Sequence, residues 1–403
     1  MRVLFVHAVR GCVPCRAQGS IIRAFEKLNI NYELINYDFS SENNVADFGE
    51  LLEKTIKDKG YSLVFSIGFI PAVSDVCQAL GIKYVSWVWD NPLLISNQEA
   101  LLNSCNEVFF FDRVQAYMYA AQGVNAHHLP PAADVVYPES ALDKKYIEGS
   151  GKYEADIALA APIYKNGYYE YTSMLEPYLK GYLEGIVNSQ LKLYGGYLIS
   201  ELIGDDLVGA LNQCLNPKFK EFGMPYKEFD RNVLEYMLAC EVTNRERLGA
   251  LRGLAGHYDA IFYTDMEENA IDLCGIRGLR VGRYSDYASC LQSGGFTGRI
   301  NLNITHKEVQ SGIPWQLLDV MACGGFVLTN YQNEIVEYLE PGEACVVYES
   351  MGDLYEKAAY YLSHERERIE IARRGREVVE RKFTFEERIG SILENVGDWK
   401  RIS

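Results

Sequence analysis

Short apolar runs alternate with amphipathic stretches along the first third of the chain. The apolar runs predict buried strands, because continuous hydrophobic segments of this length are typical of parallel sheets covered on both faces. They lie at residues 3–8, 32–36, 63–67, 84–88, 108–111 and 125–129. The stretches at residues 20–28, 45–59, 72–80, 97–103 and 114–122 have the spacing of amphipathic helices. This alternation predicts a parallel sheet with helices on both of its faces.

The segment LPPAADVVYPES, which contains three prolines, interrupts the alternation and is a predicted linker. A strand at residues 156–161 follows, and residues 168–255 then have almost no strand signal and predict helices. Further strands are predicted at residues 260–263, 279–281, 299–303, 326–329 and 345–347, and residues 353–399 read as charged helices. The pattern predicts two doubly wound, Rossmann-like α/β domains at residues 1–135 and 150–383. The second contains a helical insertion at residues 165–255, and a last helical segment spans residues 384–403.

Ligands of such sheets bind beyond the carboxyl ends of the strands, so a cleft between two facing domains is the expected site. Three strand ends of the first domain carry polar groups. Asp90 ends a hydrophobic strand and is the favoured catalytic residue, because its carboxylate would orient or deprotonate an acceptor hydroxyl. His7 is the alternative. The other residues at these ends are Arg10, Gly11, Trp89, Asn91, Pro92, Asp112 and Arg113.

In the second domain, a helix is predicted to begin near Ser311 and Gly312, with Pro314 in its first turn. A helix N-terminus that faces a cleft favours a pyrophosphate, and Asp319 lies two turns further along for a ribose. An ordinary capped helix is the alternative interpretation. The residues after the other strands, Gly282, Arg283, Tyr284, Asn303 and Thr305, are candidates for contact with a nucleotide sugar.

The stretch DVMACGGFVLTNYQNEIVEYLEPGEACVVYES and the charged segment after it resemble the C-terminal region of CgeB-like (spore-maturation-type) glycosyltransferases. These are relatives of the group-1 glycosyltransferases of GT-B fold. DIALAAPIYKNGYYEY resembles the family's entry strand into the second domain, whereas the first domain matches in pattern alone. The resemblance implies a GT-B fold of two facing domains. It also implies a nucleotide-sugar donor on the second domain, an acceptor near the first, and a last helix that returns to the first domain.

Many group-1 enzymes carry a Glu-x7-Glu pair, and Ser311 and Asp319 stand at the matching positions here. The resemblance implies that Asp319 binds the ribose, whereas Ser311 cannot replace a carboxylate electrostatically. Lys165 falls where the family has a basic residue near the diphosphate, so Tyr164, Lys165 and Asn166 are predicted donor-binding residues. A solvated loop lysine is the alternative for Lys165.

The charge and the tyrosine content of the chain limit the classes of molecule that it is expected to bind. With 39 basic and 55 acidic residues the formal net charge is −16, which argues against nucleic acid or an anionic membrane as the main partner. The 29 tyrosines suit a ring- or sugar-binding cleft, although many would simply pack at the edge of the core. Their density between Tyr164 and Tyr182 leaves open whether these rings meet sugar, protein or one another.

The ten cysteines are scattered, as is typical of reduced thiols, and with the absence of a signal peptide or membrane span this predicts a cytoplasmic protein. Only Cys12 and Cys15 have a motif spacing, and a thioredoxin-like redox site there is a minor alternative to a structural loop.

The leading hypothesis is a glycosyltransferase of the hexosyltransferase type, with a UDP-sugar as the expected donor, no other cofactor, and a glycan, protein or small-molecule acceptor. It is expected to be metal-independent, because the chain has no Asp-x-Asp motif, and retention of configuration is implied by the resemblance. A homodimer is possible. Two alternatives stay open, namely a sugar-nucleotide epimerase or hydrolase on the same fold and a non-catalytic carbohydrate-binding protein.

Overall fold

A computed structural model of the chain describes residues 1–9, 16–38, 43–135, 153–223, 228–264, 273, 275–286 and 298–397. Contacts divide the chain into two compact units. The first comprises the described residues of Met1–Val135, Ser311–Leu318 and Val379–Ser403, and the second those of Val136–Gln310 and Asp319–Val378. Arg10, Gly11, Cys12 and Cys15 lie outside the described residues, so the predictions for them are left at the sequence level.

The first unit contains a six-stranded parallel sheet with the order β2-β1-β3-β4-β5-β6. Its strands are β1 (Arg2–Val9), β2 (Asn31–Asp38), β3 (Leu63–Ile67), β4 (Lys83–Val88), β5 (Asn106–Phe110) and β6 (Ala126–His128). Its helices are α1 (Arg16–Lys27), α2 (Asn43–Lys59), α3 (Pro71–Leu80), α4 (Arg113–Ala121) and, near the C-terminus, α14 (Phe385–Val396). The helix predicted at residues 97–103 is a single 3₁₀ turn over Glu99–Leu102.

Helices α2 and α3 bury apolar side chains such as Leu52 and Val73 against one face of this sheet. Helices α1 and α14 cover the other face, where Phe25 and Ile392 pack with Trp87. Helix α14 begins at the N-cap Thr384, whose hydroxyl accepts a hydrogen bond from the Glu387 backbone N–H, and its last carbonyl, of Val396, accepts one from Lys83 Nζ at 2.6 Å. The C-terminal segment is therefore an integral part of the first unit.

The second unit contains a six-stranded parallel sheet with the order β12-β11-β10-β7-β8-β9. Its strands are β7 (Ala155–Ala160), β8 (Ala260–Thr264), β9 (Leu279–Arg283), β10 (Gly298–Asn303), β11 (Val327–Asn330) and β12 (Val346–Tyr348). Its helices are α5 (Tyr168–Ser173), α6 (Pro177–Gln190), α7 (Ile199–Leu202), α8 (Asp205–Glu221), α9 (Arg231–Ala255), α11 (Asn333–Leu339), α12 (Met351–Ser363) and α13 (Glu365–Lys382). One boundary between the two units falls inside α10 (Trp315–Ala322), and another falls inside α13, whose residues from Val379 onward belong to the first unit.

All twelve predicted strands are present in the described residues, with ends that shift by about two residues or fewer. The insertion, α5 to α8, has a hydrophobic core of its own that includes Leu183 and Phe219. Helix α9 is 25 residues long and serves two cores. Its N-terminal half contributes Leu238 to the core of the insertion, and its C-terminal half contributes Leu251 to the core under the sheet.

The contribution of α14 to the first unit can be measured by truncating one buried side chain. Ile392 is fully buried, so Ile392→Ala is expected to lower the free energy of unfolding by about 2–5 kcal/mol, from lost burial and a residual cavity. Glu394→Ala, at an exposed position of the same helix, is the matched control and should change it by less than about 0.5 kcal/mol. Urea denaturation of both variants tests this, and equal effects would contradict the packing of α14.

Candidate functional site

The order of the second sheet creates a topological switch point. Strand β7 pairs with β8 on one side and with β10 on the other, so the connections that follow β7 and β10 leave the sheet in opposite directions. A crevice forms at the carboxyl ends of strands at such a point, and ligands of doubly wound sheets bind there. The two connections at this position are residues 161–167 and residues 304–314.

A buried arginine of α9 ties these two connections together. Arg247 donates a hydrogen bond from Nη1 to the Pro162 carbonyl at 2.6 Å and one from Nη2 to the Ile304 carbonyl at 2.8 Å. Its guanidinium also lies 5.4 Å from the centre of the Tyr164 ring, which is in the range of a cation–π contact. The side chain is 4% exposed, so its charge is committed to the scaffold and not to solvent.

A cavity of about 750 Å³ opens beside the connection that follows β7. Its walls come from that connection, from α5 and α6, and from one face of α9, where residues recur every three or four positions. The lining residues are Ile163, Tyr164, Lys165, Asn166, Gly167, Tyr168, Tyr169, Glu170, Glu184, Glu241, Asn244, Arg245, Leu248 and Arg252. The volume is in the range of pockets that hold small molecules and cofactors. The predicted residues Tyr164, Lys165 and Asn166 all lie in this wall.

Helix α9 holds the connection on both sides of Lys165. The Asn244 amide accepts a hydrogen bond from the Tyr164 backbone N–H at 2.9 Å and donates one to the Tyr164 carbonyl at 2.8 Å. The Asn166 amide donates to Glu241 Oε2 at 3.2 Å and accepts from the Tyr168 backbone N–H at 3.0 Å. Residues 164 and 166 are therefore both fixed to elements around them.

Gly167 lets the chain turn from this connection directly into α5. It has a φ of 72°, in the left-handed region that favours glycine, and it is the N-cap residue of the helix. A Cβ at this position would lie 2.6 Å from Cε2 of Tyr171, so a side chain has no room even if the backbone strain were tolerated. The turn that follows Lys165 thus depends on glycine.

One of the two arginines in the wall of the cavity, Arg245, is paired with two carboxylates. Arg245 donates from both Nη atoms to Glu184, at 2.5 and 3.0 Å, and from Nε to Glu241 Oε1 at 2.7 Å. The hydrogen bonds from Arg245 lower the pKa of Glu184 to about 2 and those from Glu184 raise the pKa of Arg245, so both groups are charged at neutral pH. Arg245 therefore has little capacity left for an added anion.

Two cations in the wall differ from Arg245. Neither Lys165 nor Arg252 forms a side-chain hydrogen bond or ion pair with any residue in the described part of the chain. A cation without such a partner can approach a phosphate without first breaking a native bond, so these two side chains are the candidates for contact with an anion in the cavity.

The connection after β10 carries a buried polar cluster made of His306, Lys307 and Glu308. Lys307 forms a 2.7 Å ion pair with the buried carboxylate of Glu246. His306 Nδ1 accepts a hydrogen bond from the Glu308 backbone N–H at 3.2 Å, and burial lowers the pKa of the imidazole to about 3, so the ring is neutral. Burial raises the pKa of Glu308 to about 7, although its carboxylate accepts a 3.0 Å hydrogen bond from Tyr197.

Asn303 and Thr305 bond to the sheet rather than project free of it. The Asn303 amide donates to Thr305 Oγ1 at 3.1 Å and to Thr329 Oγ1 at 2.9 Å, and the Thr305 backbone N–H donates to Asn330 Oδ1 at 2.8 Å. The network links the carboxyl ends of β10 and β11 at the switch point. The predicted role of these two residues in donor binding stays a prediction.

Gly282, Arg283 and Tyr284 lie at the end of β9, the edge strand of the second sheet. A Cβ on Gly282 would lie 2.6 Å from the Tyr263 ring, which explains glycine there by packing. Arg283 is exposed, and Tyr284 is half-buried. None of the three lines the cavity described above, so their predicted contact with a base stays a prediction.

Ser311 and Gly312 contact the first unit, to which contacts assign residues 311–318. The Ser311 hydroxyl donates to Asp112 Oδ1 at 2.8 Å, and Asp112 also caps α4. A Cβ on Gly312 would lie 3.0 Å from Cα of Asp112, so glycine permits this close approach. The Ser311 side chain is thus committed to Asp112. Asp319 is buried in the second unit, and its predicted role at a ribose is not tested by these contacts.

The catalytic candidates of the first unit lie at the carboxyl edge of its sheet. His7, in β1, is 2% exposed, and neither of its ring nitrogens has a hydrogen-bond partner among the described residues. Burial lowers its pKa, so the ring is neutral at physiological pH. Asp90 follows β4 and is exposed. Both environments are compatible with a base, and neither assigns the role.

The tyrosines of the insertion serve different purposes. Tyr164 packs edge-on against His306 with ring centroids 4.7 Å apart, and Tyr168 is buried and donates to Glu184 at 2.9 Å. Tyr171 packs against Phe219 and Phe229. The exposed rings are those of Tyr169, Tyr178 and Tyr182. Packing therefore explains three of the six tyrosines between Tyr164 and Tyr182, and Tyr169 alone of the three exposed rings lines the cavity.

Within the described residues, no group of three or more His, Cys, Asp or Glu side chains is placed to hold a metal ion. None of the described helices is both long and apolar enough to cross a membrane. The sequence prediction missed the α9 wall of Glu241, Asn244, Arg245 and Arg252, together with Glu184 of α6. The available signal was the helical spacing of polar residues in CEVTNRERLGALRG, which places residues 241, 245, 248 and 252 on one face.

Two sequence comparisons match parts of the chain. Residues 266–394 match a family described as glycosyl transferase-like. An uncharacterized protein of Aquifex aeolicus (strain VF5) is 22% identical over 331 residues, which cover 80% of this chain and 77% of that protein.

Two solved structures share the architecture. A sucrose-phosphate synthase from Thermosynechococcus elongatus has a TM-score of 0.54 and 9% identity, with 98% of this chain and 99% of that chain covered. The Anabaena protein Alr3699/HepE, in complex with UDP and glucose, has a TM-score of 0.53 and 10% identity, again with 98% and 99% covered. The two parallel six-stranded sheets thus have the GT-B fold, and the C-terminal region is glycosyltransferase-like.

The buried carboxyl of Glu308 predicts a pH-dependent stability. Because its folded-state pKa of about 7 lies above the ordinary value of 4.5, the folded state binds the proton more tightly. Binding of this proton stabilises the folded state. The stabilisation is fully present below pH 4.5 and is lost as the pH rises through 7. Glu308→Gln is therefore expected to be more stable than the wild type above pH 7, by up to roughly 3 kcal/mol, and equal to it at low pH.

Urea denaturation of both proteins between pH 4 and pH 8.5 measures this difference as a function of pH. Glu340→Gln, a change of the same kind at an exposed residue, is the control and should leave the pH dependence unchanged. If the free energies of unfolding of the wild type and Glu308→Gln differ by the same amount at every pH, burial does not raise the pKa of this carboxyl.

Proposed function

We propose that this protein is a glycosyltransferase that takes a sugar from a nucleoside diphosphate donor, a UDP-sugar, and transfers it to a glycan, protein or small-molecule acceptor. The observation that carries the proposal is the cavity beside the connection that follows β7, in which Lys165 and Arg252 are cations without a hydrogen-bond or ion-pair partner among the described residues. The CgeB-like resemblance and the UDP bound by the Anabaena protein support the choice of donor.

Lys165 and Arg252 would hold the diphosphate of the donor. In the transfer, the bond from the anomeric carbon to the diphosphate oxygen breaks, a bond to the acceptor oxygen forms, and the acceptor hydroxyl loses its proton. Negative charge grows on the leaving diphosphate, and a fixed cation stabilises it more in the transition state than in the bound donor. The chain has no Asp-x-Asp motif, so we assign this role to side chains and propose a metal-independent, retaining transfer.

The other residues predicted from the sequence are assigned roles toward the donor and the acceptor by the same proposal. Asp90, or alternatively His7, would accept or orient the proton of the acceptor hydroxyl, and Asp319 would bind the ribose. The remaining proposed donor contacts are Tyr164, Asn166, Gly282, Arg283, Tyr284, Asn303, Thr305, Ser311 and Gly312.

Removal of the Lys165 or the Arg252 side chain should weaken nucleotide binding. Lys165→Ala and Arg252→Ala are each expected to raise the Kd for UDP at least about tenfold, because a hydrogen bond to a charged group contributes about 1.5–3 kcal/mol. The loss should shrink as salt is added, since screening already weakens the interaction in the wild type. Lys192→Ala, at an exposed lysine outside the cavity, is the matched control. Titration calorimetry measures all three.

Activity is tested by release of nucleoside diphosphate from a panel of UDP-, GDP- and dTDP-sugars, with and without added EDTA. Release that depends on an acceptor supports the transferase, and the same rate with EDTA supports metal independence. Steady release without any acceptor favours a hydrolase, and an altered sugar with the nucleotide still attached favours an epimerase. Absence of both nucleotide binding and donor turnover would refute the proposal.

A further inference from the structure

We infer that Asn244 and Glu241 of α9 are positioning residues that set the place of Lys165 in the cavity. The inference rests on the proposed function, since it concerns the cation assigned there to the diphosphate. Neither residue is assigned a bond to the donor. Asn244 acts through the backbone of Tyr164, and Glu241 acts through the side chain of Asn166.

The first contact fixes the chain before Lys165. The Asn244 amide both accepts from the Tyr164 N–H and donates to the Tyr164 carbonyl, so it pairs with both polar groups of that residue's backbone. Asn244 is 8% exposed, which leaves little water to replace either bond. The Tyr164 carbonyl and the Lys165 N–H belong to the same planar peptide group. A bond that fixes the carbonyl therefore also helps to fix the backbone from which the Lys165 side chain projects.

The second contact fixes the chain after Lys165. Glu241 is 2% exposed and accepts from Asn166 Nδ2 with one oxygen and from Arg245 Nε with the other. A carboxylate suits this place because both neighbours are donors and each of its oxygens accepts from one of them. A glutamine would direct its own N–H groups at one of them. Arg245 is in turn held by both oxygens of Glu184, so the support continues from α9 to α6.

The Lys165 side chain forms no hydrogen bond or ion pair with the described part of the chain, whereas the Asn166 amide bonds to Glu241 and the Tyr164 ring packs against His306. Its neighbours are therefore held rigidly while its ammonium is left for a ligand. Preorganisation of this kind improves binding because less conformational freedom is lost when the anion arrives. The same bonds also stabilise the fold, so a test must separate positioning from stability.

The chain contains a matched control for Asn244. Asn212 of α8 makes the same reciprocal pair of bonds with Phe229, in which its amide donates to the carbonyl at 2.8 Å and accepts from the N–H at 2.9 Å. Asn212 does not line the cavity. Asn212→Ala therefore removes the same two interactions at a different place, and it should lower the thermal stability without changing nucleotide binding.

The experiment is a double-mutant cycle on the full chain, with UDP as the probe, titration calorimetry for the Kd and thermal unfolding for stability. Asn244→Ala is expected to raise the Kd about three- to tenfold, and Glu241→Gln to act in the same direction. In the Lys165→Ala background, both changes should leave the Kd unaltered within about twofold, because the cation they position is gone. Asn212→Ala should bind UDP like the wild type.

The outcomes separate the two proposals. If Lys165→Ala weakens binding but Asn244→Ala does not, or if their effects multiply, Lys165 keeps its assigned role and the positioning inference is overturned. An equal effect of Asn212→Ala and Asn244→Ala on the Kd also overturns it, because general destabilisation would then explain the result. If Lys165→Ala binds UDP like the wild type, the proposed function and this inference both fail.

Discussion

The candidate site depends on the pairing of one buried carboxylate, Glu241, with a donor on each of its oxygens. A carboxylate taken out of water is costly unless it is paired and fully hydrogen-bonded. Arg245 and Asn166 meet that requirement from opposite sides, and each is then held in a single orientation. The hydrogen bonds of Glu241 thereby join α9 to the connection after β7, and Arg245 continues the network to Glu184 of α6. These bonded residues form part of the wall of the cavity.

Charge in this region is separated into two kinds. Arg245, Arg247 and Lys307 are committed to carboxylates or carbonyls of the scaffold, whereas Lys165 and Arg252 have no such partner among the described residues. The formal net charge of the chain is −16, so an anionic ligand is repelled by most of the surface. Binding of an anion therefore requires local cations that the fold leaves uncompensated, and both of these line the cavity beside the connection after β7.

Sequence predicted the fold well because parallel strands that are buried on both faces appear as continuous apolar runs. Residues 63–67, predicted as a strand, are the strand β3 with the same bounds. The family resemblance pointed to Tyr164, Lys165 and Asn166, which lie in the wall of the cavity, and their role in donor binding stays a prediction. The sequence prediction missed Glu241 and Asn244 because helical periodicity identifies a face but not its partner. The commitment of Ser311 to Asp112 joins residues 199 positions apart, which no local pattern reveals.

The length of α9 has a consequence for how the second unit folds and unfolds. One helix supplies apolar side chains to the core of the insertion and to the core beneath the sheet, with no interruption between them. The stabilities of the two cores are therefore linked. If one core unfolds, α9 loses the tertiary packing of that half, and the half that packs in the other core becomes less stable. The insertion is thus a cooperative part of the unit rather than an appended module, and a destabilising change in its core will be transmitted along α9 to the residues that line the cavity.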